Sequence, residues 1–242
     1  MLWHFVFESI AYVVAFRLYL WQRREHGDFL STQTRWTIIV AAIAGAAVGS
    51  KLLYWFEDPV RTLHEWKNFR YLLGGKTIVG ALLGGIIAVE CAKWHAGITR
   101  RTGDLFAVPI ALGIAIGRLG CFLAGIKDDT YGLPTTLPWG VDLGDGIHRH
   151  PVQLYEIVAM GALIFLLRHI RPPRFEEGDR FRVFVIAYCT WRVFIDFLKP
   201  GVFLGGFTIL QWACIAALIW YARDLERLLS RTFTQTEALS NG

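Results

Sequence analysis

The sequence predicts an all-α integral membrane protein, a bundle of seven transmembrane helices. Of its 242 residues, 54% are hydrophobic, which exceeds the share in ordinary soluble domains. These residues fall in seven runs of roughly 20 residues, the length of helix that crosses a bilayer. Basic residues favour the connections on one side of the predicted bundle, as cytoplasmic loops do. The runs are 3–21, 36–56, 71–94, 104–125, 151–170, 180–198 and 204–222.

The basic bias sets the predicted orientation: an N-terminus outside the membrane and a cytoplasmic C-terminus. We expect residues 1–231 to form one membrane domain, in which the long connection 126–150 is a structured loop on the outer side. Its Gly, Pro, Asp and Trp residues occur in irregular order, which is unlike a flexible linker. The polar stretch 232–242 is predicted to be a disordered tail.

The net charge and the positions of the cysteines indicate which ligands and partners to expect. The formal net charge of +5 fits basic cytoplasmic loops, so we expect no nucleic-acid partner. The cysteines all lie in apolar runs and form no C-x-x-C pair, so neither a disulfide framework nor a metal site is predicted, and no cofactor is expected. They are Cys91, Cys121, Cys189 and Cys214.

Charged residues inside the apolar runs converge on one membrane level, near the predicted outer surface. Each charge there costs at least ~2.5 kcal/mol at mid-helix. Tyr188, Arg192 and Asp196 share one helical face because they are spaced by four residues. Snorkelling to the interface and a structural Arg192–Asp196 ion pair are the simpler interpretations. We favour a positively charged polar cavity for an anionic phospholipid headgroup, because arginine can bind phosphate through two parallel hydrogen bonds.

Glycines mark two kinds of position. Gly74 and Gly75 precede Lys76 and can break a helix, which at membrane depth is tolerated only where the backbone lines a cavity or is buried. Three pairs spaced by four residues predict close helix packing. The pairs are Gly45 with Gly49, Gly80 with Gly84, and Gly113 with Gly117.

Four segments carry a family resemblance. They are G-G-K-T-I-V-G at 74–80, G-R-L-G-C-F-L-A-G at 117–125, R-H-P-V-Q-L-Y-E at 149–156 and W-R-V-F-I-D-F at 191–197. Together they resemble the prolipoprotein diacylglyceryl transferase family. The resemblance implies a seven-helix enzyme of the bacterial inner membrane that faces the periplasm. Such an enzyme moves diacylglycerol from phosphatidylglycerol to a cysteine thiol of a lipoprotein signal peptide.

The resemblance also implies roles for single residues. Arg118 matches the family arginine that binds the donor phosphate, and Arg192 matches a second essential arginine. The catalytic candidates are Arg118, Arg192, His150, Asp128 and Asp129. The candidates for binding substrate are Gly75, Lys76, Arg149, Gln153, Tyr155, Glu156, Tyr188 and Asp196.

The sequence departs from the family pattern at the reaction centre. Val79 stands where the family has a histidine, and Cys121 and Ala124 stand where it has asparagines. We therefore expect a catalytic base from the 126–150 loop and a reaction that differs from the standard one. One alternative is transfer of phosphoglycerol from the same lipid to a hydroxyl on a glycan or lipid acceptor. Another is a non-enzymatic lipid-binding or lipid-transport protein.

Overall fold

The computed structural model describes residues 2–170 and 175–228 and is almost entirely α-helical, with 73% helix. Four of its helices are long and apolar enough to cross a membrane: α2, α5, α7, and α6 with the turn that follows it. The chain is therefore an α-helical membrane protein. The helices are α1 Leu2–His26, α2 Thr32–Glu57, α3 Pro59–His64, α4 Phe69–Gly74, α5 Ile78–His95, α6 Asp104–Ala124, α7 Val152–His169, α8 Asp179–Ile195 and α9 Ile209–Trp220.

Each predicted apolar run contains one long helix, but two of these helices begin later than predicted. Within the third run, α4 ends at Gly74, and α5 begins only at Ile78. The predicted break at the glycine pair is confirmed. Thr77 caps α5, because its hydroxyl accepts a hydrogen bond from the Gly80 amide at 3.2 Å. Within the last run, a two-stranded hairpin precedes α9 and delays its start to Ile209.

Helices α2 and α5 pack in close backbone contact along a seam of glycines. A Cβ atom added at Gly45, Gly49, Gly80 or Gly84 would overlap backbone or Cβ atoms of the facing helix. The close packing predicted for these two pairs is confirmed. At Gly117 an added Cβ would meet nothing within 4 Å, so close packing does not explain that glycine.

The apolar core lies around α6, half of whose apolar stretch is buried. Ala107 and Ala111 on α6, Leu167 on α7 and Phe184 on α8 are fully buried there. Many large apolar side chains instead point outwards along the helices, for example Val158 at 72% exposure. Such an extensive exposed apolar surface is typical of helices that face lipid rather than water.

The 126–150 connection is built around short backbone pairings. A 3₁₀ turn at Gly125–Asp128 leads into a hairpin of β1 Val141–Asp142 and β2 His148–Arg149. The Leu133 amide donates to the carbonyl of Leu198 at 2.8 Å. A second hairpin, β3 Phe203–Leu204 with β4 Phe207–Thr208, follows α8. The loop is thus tied to the end of α8, and we call this the loop end of the bundle.

The opposite end is closed by buried ion pairs. Arg35 is almost fully buried, and its Nη2 atom lies 2.5 Å from Asp28 Oδ1. Its Nη1 atom donates to the carbonyl of Thr102 at 3.1 Å. Asp104 accepts hydrogen bonds from the amides of Gly178 and Phe181, at the start of α8. The predicted tail 232–242 lies outside the described residues.

Candidate active site

A buried carboxylate organises the polar groups at the loop end. Glu156, in the second turn of α7, has no exposed side-chain surface. Its Oε2 atom lies 2.8 Å from Arg118 Nε, and its Oε1 atom lies 3.4 Å from Arg192 Nη1. Arg118 comes from α6 and Arg192 from α8. The structure therefore brings Arg118 and Arg192 together on a carboxylate of the protein itself.

Two further residues extend this cluster. Lys199, just after α8, places its Nζ atom 3.2 Å from Glu156 Oε2. Asp196 Oδ1 lies 3.0 Å from Arg192 Nη2 and 3.8 Å from Lys199. The ion pairs thus join three cations to two carboxylates, and Glu57 at the end of α2 lies within electrostatic range. We call Arg118, Glu156, Arg192, Asp196 and Lys199 the arginine cluster.

Several buried polar atoms at this level lack hydrogen-bond partners among the described residues. Both amide atoms of Gln153 and the hydroxyl of Tyr188 are in this state, and both residues are fully buried. The Nε atoms of Arg118 and Arg192 also lack a hydrogen-bond partner among the described residues. The 2.8 Å contact between Arg118 Nε and Glu156 is therefore an ion pair without an aligned hydrogen bond. Buried polar groups normally have partners. This set can therefore accept a polar ligand or ordered water.

A second cluster lies next to the first, around His4 near the start of α1. The Nδ1 atom of His4 lies 2.6 Å from Asp128 Oδ1 and 3.8 Å from Cys121 Sγ. Its Nε2 atom lies 3.7 Å from Glu8 Oε2. Cys121 links the two clusters, because Arg118 Nη1 lies 4.0 Å from its sulfur. We call His4, Cys121 and Asp128 the His4 cluster.

Glu8 carries the polar contacts onward to α5. Its Oε1 atom lies 2.5 Å from Lys76 Nζ, so Lys76 has a carboxylate partner. Lys51 donates to the Gly75 carbonyl at 2.6 Å and to the carbonyl of Leu73, which fixes the irregular backbone between α4 and α5. A continuous line of polar contacts therefore crosses the loop end. In order, its members are Lys76, Glu8, His4, Cys121, Arg118, Glu156 and Arg192.

The other predicted loop residues hold the loop together. Arg149 contacts Asp145 at 2.7 Å, and its guanidinium lies over the ring of Tyr131. Tyr155 accepts a hydrogen bond from Trp139 Nε1 at 2.7 Å, and its hydroxyl lies 3.4 Å from His150 Nδ1. These contacts link the loop to the start of α7 without joining the line of polar contacts.

The two neighbouring aspartates differ in placement. The side chain of Asp128 is 7% exposed and contacts His4. Asp129 is exposed, has a left-handed backbone with φ of 54°, and makes no side-chain hydrogen bond within the described part of the chain. Only Asp128 of this pair therefore belongs to the clustered groups.

Sequence reasoning did not select His4, Glu8 or Lys199 as site residues. His4 lies within the first predicted apolar run, 3–21, and is more than a hundred positions from Cys121 and Asp128. Only the packing of α1 against α6 brings it to the site, so no local pattern could have identified it.

This arrangement has a definite chemical capacity. Guanidinium groups in a water-poor site can bind a phosphate and stabilise the negative charge that it gains as a leaving group. In the neighbouring cluster, the imidazole and the carboxylate can receive a proton, and all three side chains can ligate a metal ion. An anion-binding centre and a group that can activate a nucleophile thus lie side by side.

Comparison with known proteins places the chain in a family. The family model described as prolipoprotein diacylglyceryl transferase matches residues 3–222. Among curated proteins, a phosphatidylglycerol–prolipoprotein diacylglyceryl transferase of Clostridium tetani is 34% identical over 168 residues, 66% of this chain and 66% of that protein. The enzyme of the same name from Legionella pneumophila (strain Corby) is 30% identical over 228 residues, 90% of this chain and 86% of that protein. The chain therefore belongs to the prolipoprotein diacylglyceryl transferase family.

Proposed function

We propose that this protein transfers diacylglycerol from phosphatidylglycerol to a cysteine thiol of a lipoprotein signal peptide in the bacterial inner membrane. The observation that carries the proposal is the convergence of Arg118 and Arg192 on one buried anion. A carboxylate and a phosphate diester have the same charge and similar acceptor oxygens, so Glu156 marks where the donor phosphate binds. The relatives' names supply the donor and the acceptor.

The chemistry follows from this placement. A thiolate attacks the glyceryl carbon that bears the phosphate, a carbon–sulfur bond forms, and the carbon–oxygen bond to phosphate breaks. The electron pair leaves on glycerol phosphate, where Arg118 and Arg192 stabilise the charge. The unpaired amide of Gln153 and hydroxyl of Tyr188 bind polar atoms of the donor headgroup.

The acceptor cysteine is activated at the His4 cluster. Activation of a thiol requires removal of its proton, and His4 with Asp128 is the imidazole–carboxylate pair beside Arg118. In this scheme Asp128 is the residue that the 126–150 loop contributes to the pair. His150 and Arg149 order the loop in this scheme, and Lys76 holds Glu8 against His4.

The proposal includes a topology of seven spans, formed by α1, α2, α5, α6, α7, α8 and α9. The N-terminus and the 126–150 loop face the periplasm, and the C-terminus faces the cytoplasm. The basic bias of the connections supports this orientation. Introduced cysteines test it with a membrane-impermeant reagent in intact cells. Labelling at Thr136 and protection at Arg100 are expected, and the reverse pattern would exclude the orientation.

The function is tested with purified protein, labelled phosphatidylglycerol and a signal-peptide acceptor that contains one cysteine. Release of glycerol phosphate with lipidated peptide is the expected result. Arg118→Ala and Arg192→Ala should each abolish transfer, whereas Arg100→Ala, which removes an exposed cation at the other end, should retain it. Release of diacylglycerol would show attack on phosphorus and transfer of phosphoglycerol instead. Consumption of no lipid would support a lipid-binding or lipid-transport protein.

A further inference from the structure

His4, Cys121 and Asp128 present three different ligand atoms to one point. The imidazole nitrogen, the sulfur and a carboxylate oxygen all lie within 4.8 Å of one another. They come from α1, from the end of α6 and from the 3₁₀ turn that follows it. Sequence spacing did not indicate a metal site, because one ligand is more than a hundred positions from the others.

We propose that these three side chains bind a zinc ion whose fourth coordination position is open. Thiolate, imidazole and carboxylate are the ligand types of zinc, and three protein ligands with one open position are the pattern of catalytic zinc sites. Tetrahedral bonds of about 2.0–2.3 Å place nitrogen and sulfur roughly 3.5 Å apart. The observed separation of His4 Nδ1 and Cys121 Sγ is 3.8 Å. The Asp128 oxygen, at 2.6 Å from Nδ1, moves outwards by just under ~1 Å to complete this geometry.

Without a metal ion, the same three groups form a hydrogen-bonded cluster. The His4 Nδ1 atom lies at hydrogen-bond distance from Asp128, and the Cys121 thiol also faces that carboxylate. Zinc would replace the protons of this cluster, because a metal-bound thiol is deprotonated. The zinc titration below distinguishes the two arrangements.

The surroundings of the cluster match those of metal ligands. Histidine ligands commonly donate their second ring N–H to a carboxylate. Here Glu8 Oε2 lies 3.7 Å from His4 Nε2, a charge contact that is longer than a hydrogen bond, so the Glu8 side chain must shift slightly to accept that N–H. Glu8 is itself held by the Tyr12 hydroxyl at 2.9 Å and by Lys76. On the other side, Thr130 donates to Asp128 Oδ2 at 2.6 Å, which leaves Oδ1 directed at His4.

The open position has a specific use that rests on the proposed function: it takes the sulfur of the acceptor cysteine. A thiol that binds zinc loses its proton to solvent. With His4 and Asp128 engaged as ligands, zinc takes over from this pair the role of activating the thiol. The metal-bound thiolate then attacks the glyceryl carbon, and the electron pair of the broken carbon–oxygen bond leaves with glycerol phosphate. Arg118 Nη1 lies 4.0 Å from Cys121 Sγ, so the zinc and the donor phosphate would be neighbours.

Metal binding is tested without any lipid. The purified full-length protein is stripped with a chelator, and zinc alone is titrated against it in detergent. One tightly bound zinc per chain is expected. Cys121→Ser and Asp128→Asn should abolish tight binding, and Glu8→Gln should weaken it about 10–100-fold through loss of the outer carboxylate. Cys91→Ser, which changes an exposed cysteine on α5, is the matched control and should bind zinc normally.

Cobalt substitution adds a readout that does not depend on activity. A thiolate–cobalt charge-transfer absorption is expected in the wild type and in Cys91→Ser but not in Cys121→Ser. Absence of stoichiometric zinc, or zinc binding unchanged in Cys121→Ser, would overturn the proposal. If His4→Ala abolishes transfer in a protein that binds no zinc, the His4–Asp128 pair acts as a simple base and the metal proposal is wrong.

Transfer assays then test the role of zinc separately from the proposed transferase activity. Restoration of transfer by zinc in the stripped protein is the expected result. Full transfer by a metal-free protein would overturn the role of zinc and leave the proposed function intact. Tight zinc binding without any lipid transfer would refute the function and leave the metal site standing.

Discussion

Replacing Glu156 with glutamine should lower the stability of the protein and raise its affinity for phosphatidylglycerol. Glu156 has no exposed surface and contacts three cations at 2.8, 3.4 and 3.2 Å. Glutamine keeps the shape of the side chain but removes the charge. Breaking a buried ion pair by removing one partner costs about 3–5 kcal/mol. The same substitution at exposed Glu177, which pairs with Arg100, should cost less than about 1 kcal/mol.

Part of the stability lost in Glu156→Gln should be recovered when the donor lipid binds. With the carboxylate gone, both arginines are free to bind the phosphate, so phosphatidylglycerol should bind the variant more tightly than the wild type. A tenfold gain in affinity adds about 1.4 kcal/mol of stabilisation at a fixed saturating lipid concentration. Thermal unfolding in detergent, with phosphatidylglycerol and with phosphatidylcholine, measures both effects. Equal stabilisation of Glu156→Gln and wild type by phosphatidylglycerol would show that Glu156 does not mark the phosphate site.

Three further outcomes are expected. Arg118→Lys should fold but lose most transfer of labelled lipid, because lysine keeps the charge without the two-pronged donor geometry; near-normal transfer would exclude two-pronged binding. Gly84→Ala should lower stability in detergent by about 1–3 kcal/mol by overpacking the α2–α5 seam, whereas Gly161→Ala, whose Cβ meets nothing within 4 Å, should not. The hydrogen bond from Arg149 holds the pKa of Asp145 below its usual range, so this pair stabilises the loop above the unfolded pKa of about 3.9 and is lost as pH falls through the folded pKa. Amide protection factors in the hairpin, which are corrected for the slower intrinsic exchange in acid, should fall as the pH falls. Asp145→Asn should reduce that dependence, and the remainder comes from Asp142, whose pKa is lowered by hydrogen bonds from backbone amides of the same hairpin.

Much of the fold could be predicted because the bilayer imposes a simple pattern. Long apolar runs indicate helices, and the glycine pair at 74 and 75 indicates the break before α5. The predicted starts of helices were less accurate where a short element interrupts an apolar run, as the hairpin before Ile209 does. Local turn geometry of this kind leaves little trace in hydropathy.

The site could be predicted in part, for a different reason. Charges inside apolar runs are costly, so Arg118, Glu156 and Arg192 could be identified before their contacts were known. His4 is a single histidine within the run 3–21, and nothing in the neighbouring sequence indicates its partners. Its place beside Cys121 and Asp128 depends on the packing of α1 against α6, which a single sequence does not reveal.

The line of polar contacts lies at one end of a bundle whose outer faces are apolar. Its reactants, a two-chain lipid and a peptide with an apolar segment, can therefore meet the enzyme while their tails stay in the bilayer. Encounter then takes place in two dimensions. The relevant measure of substrate is its mole fraction in the membrane, so dilution with neutral lipid at constant bulk amount should slow turnover, whereas dilution of whole vesicles in buffer should not.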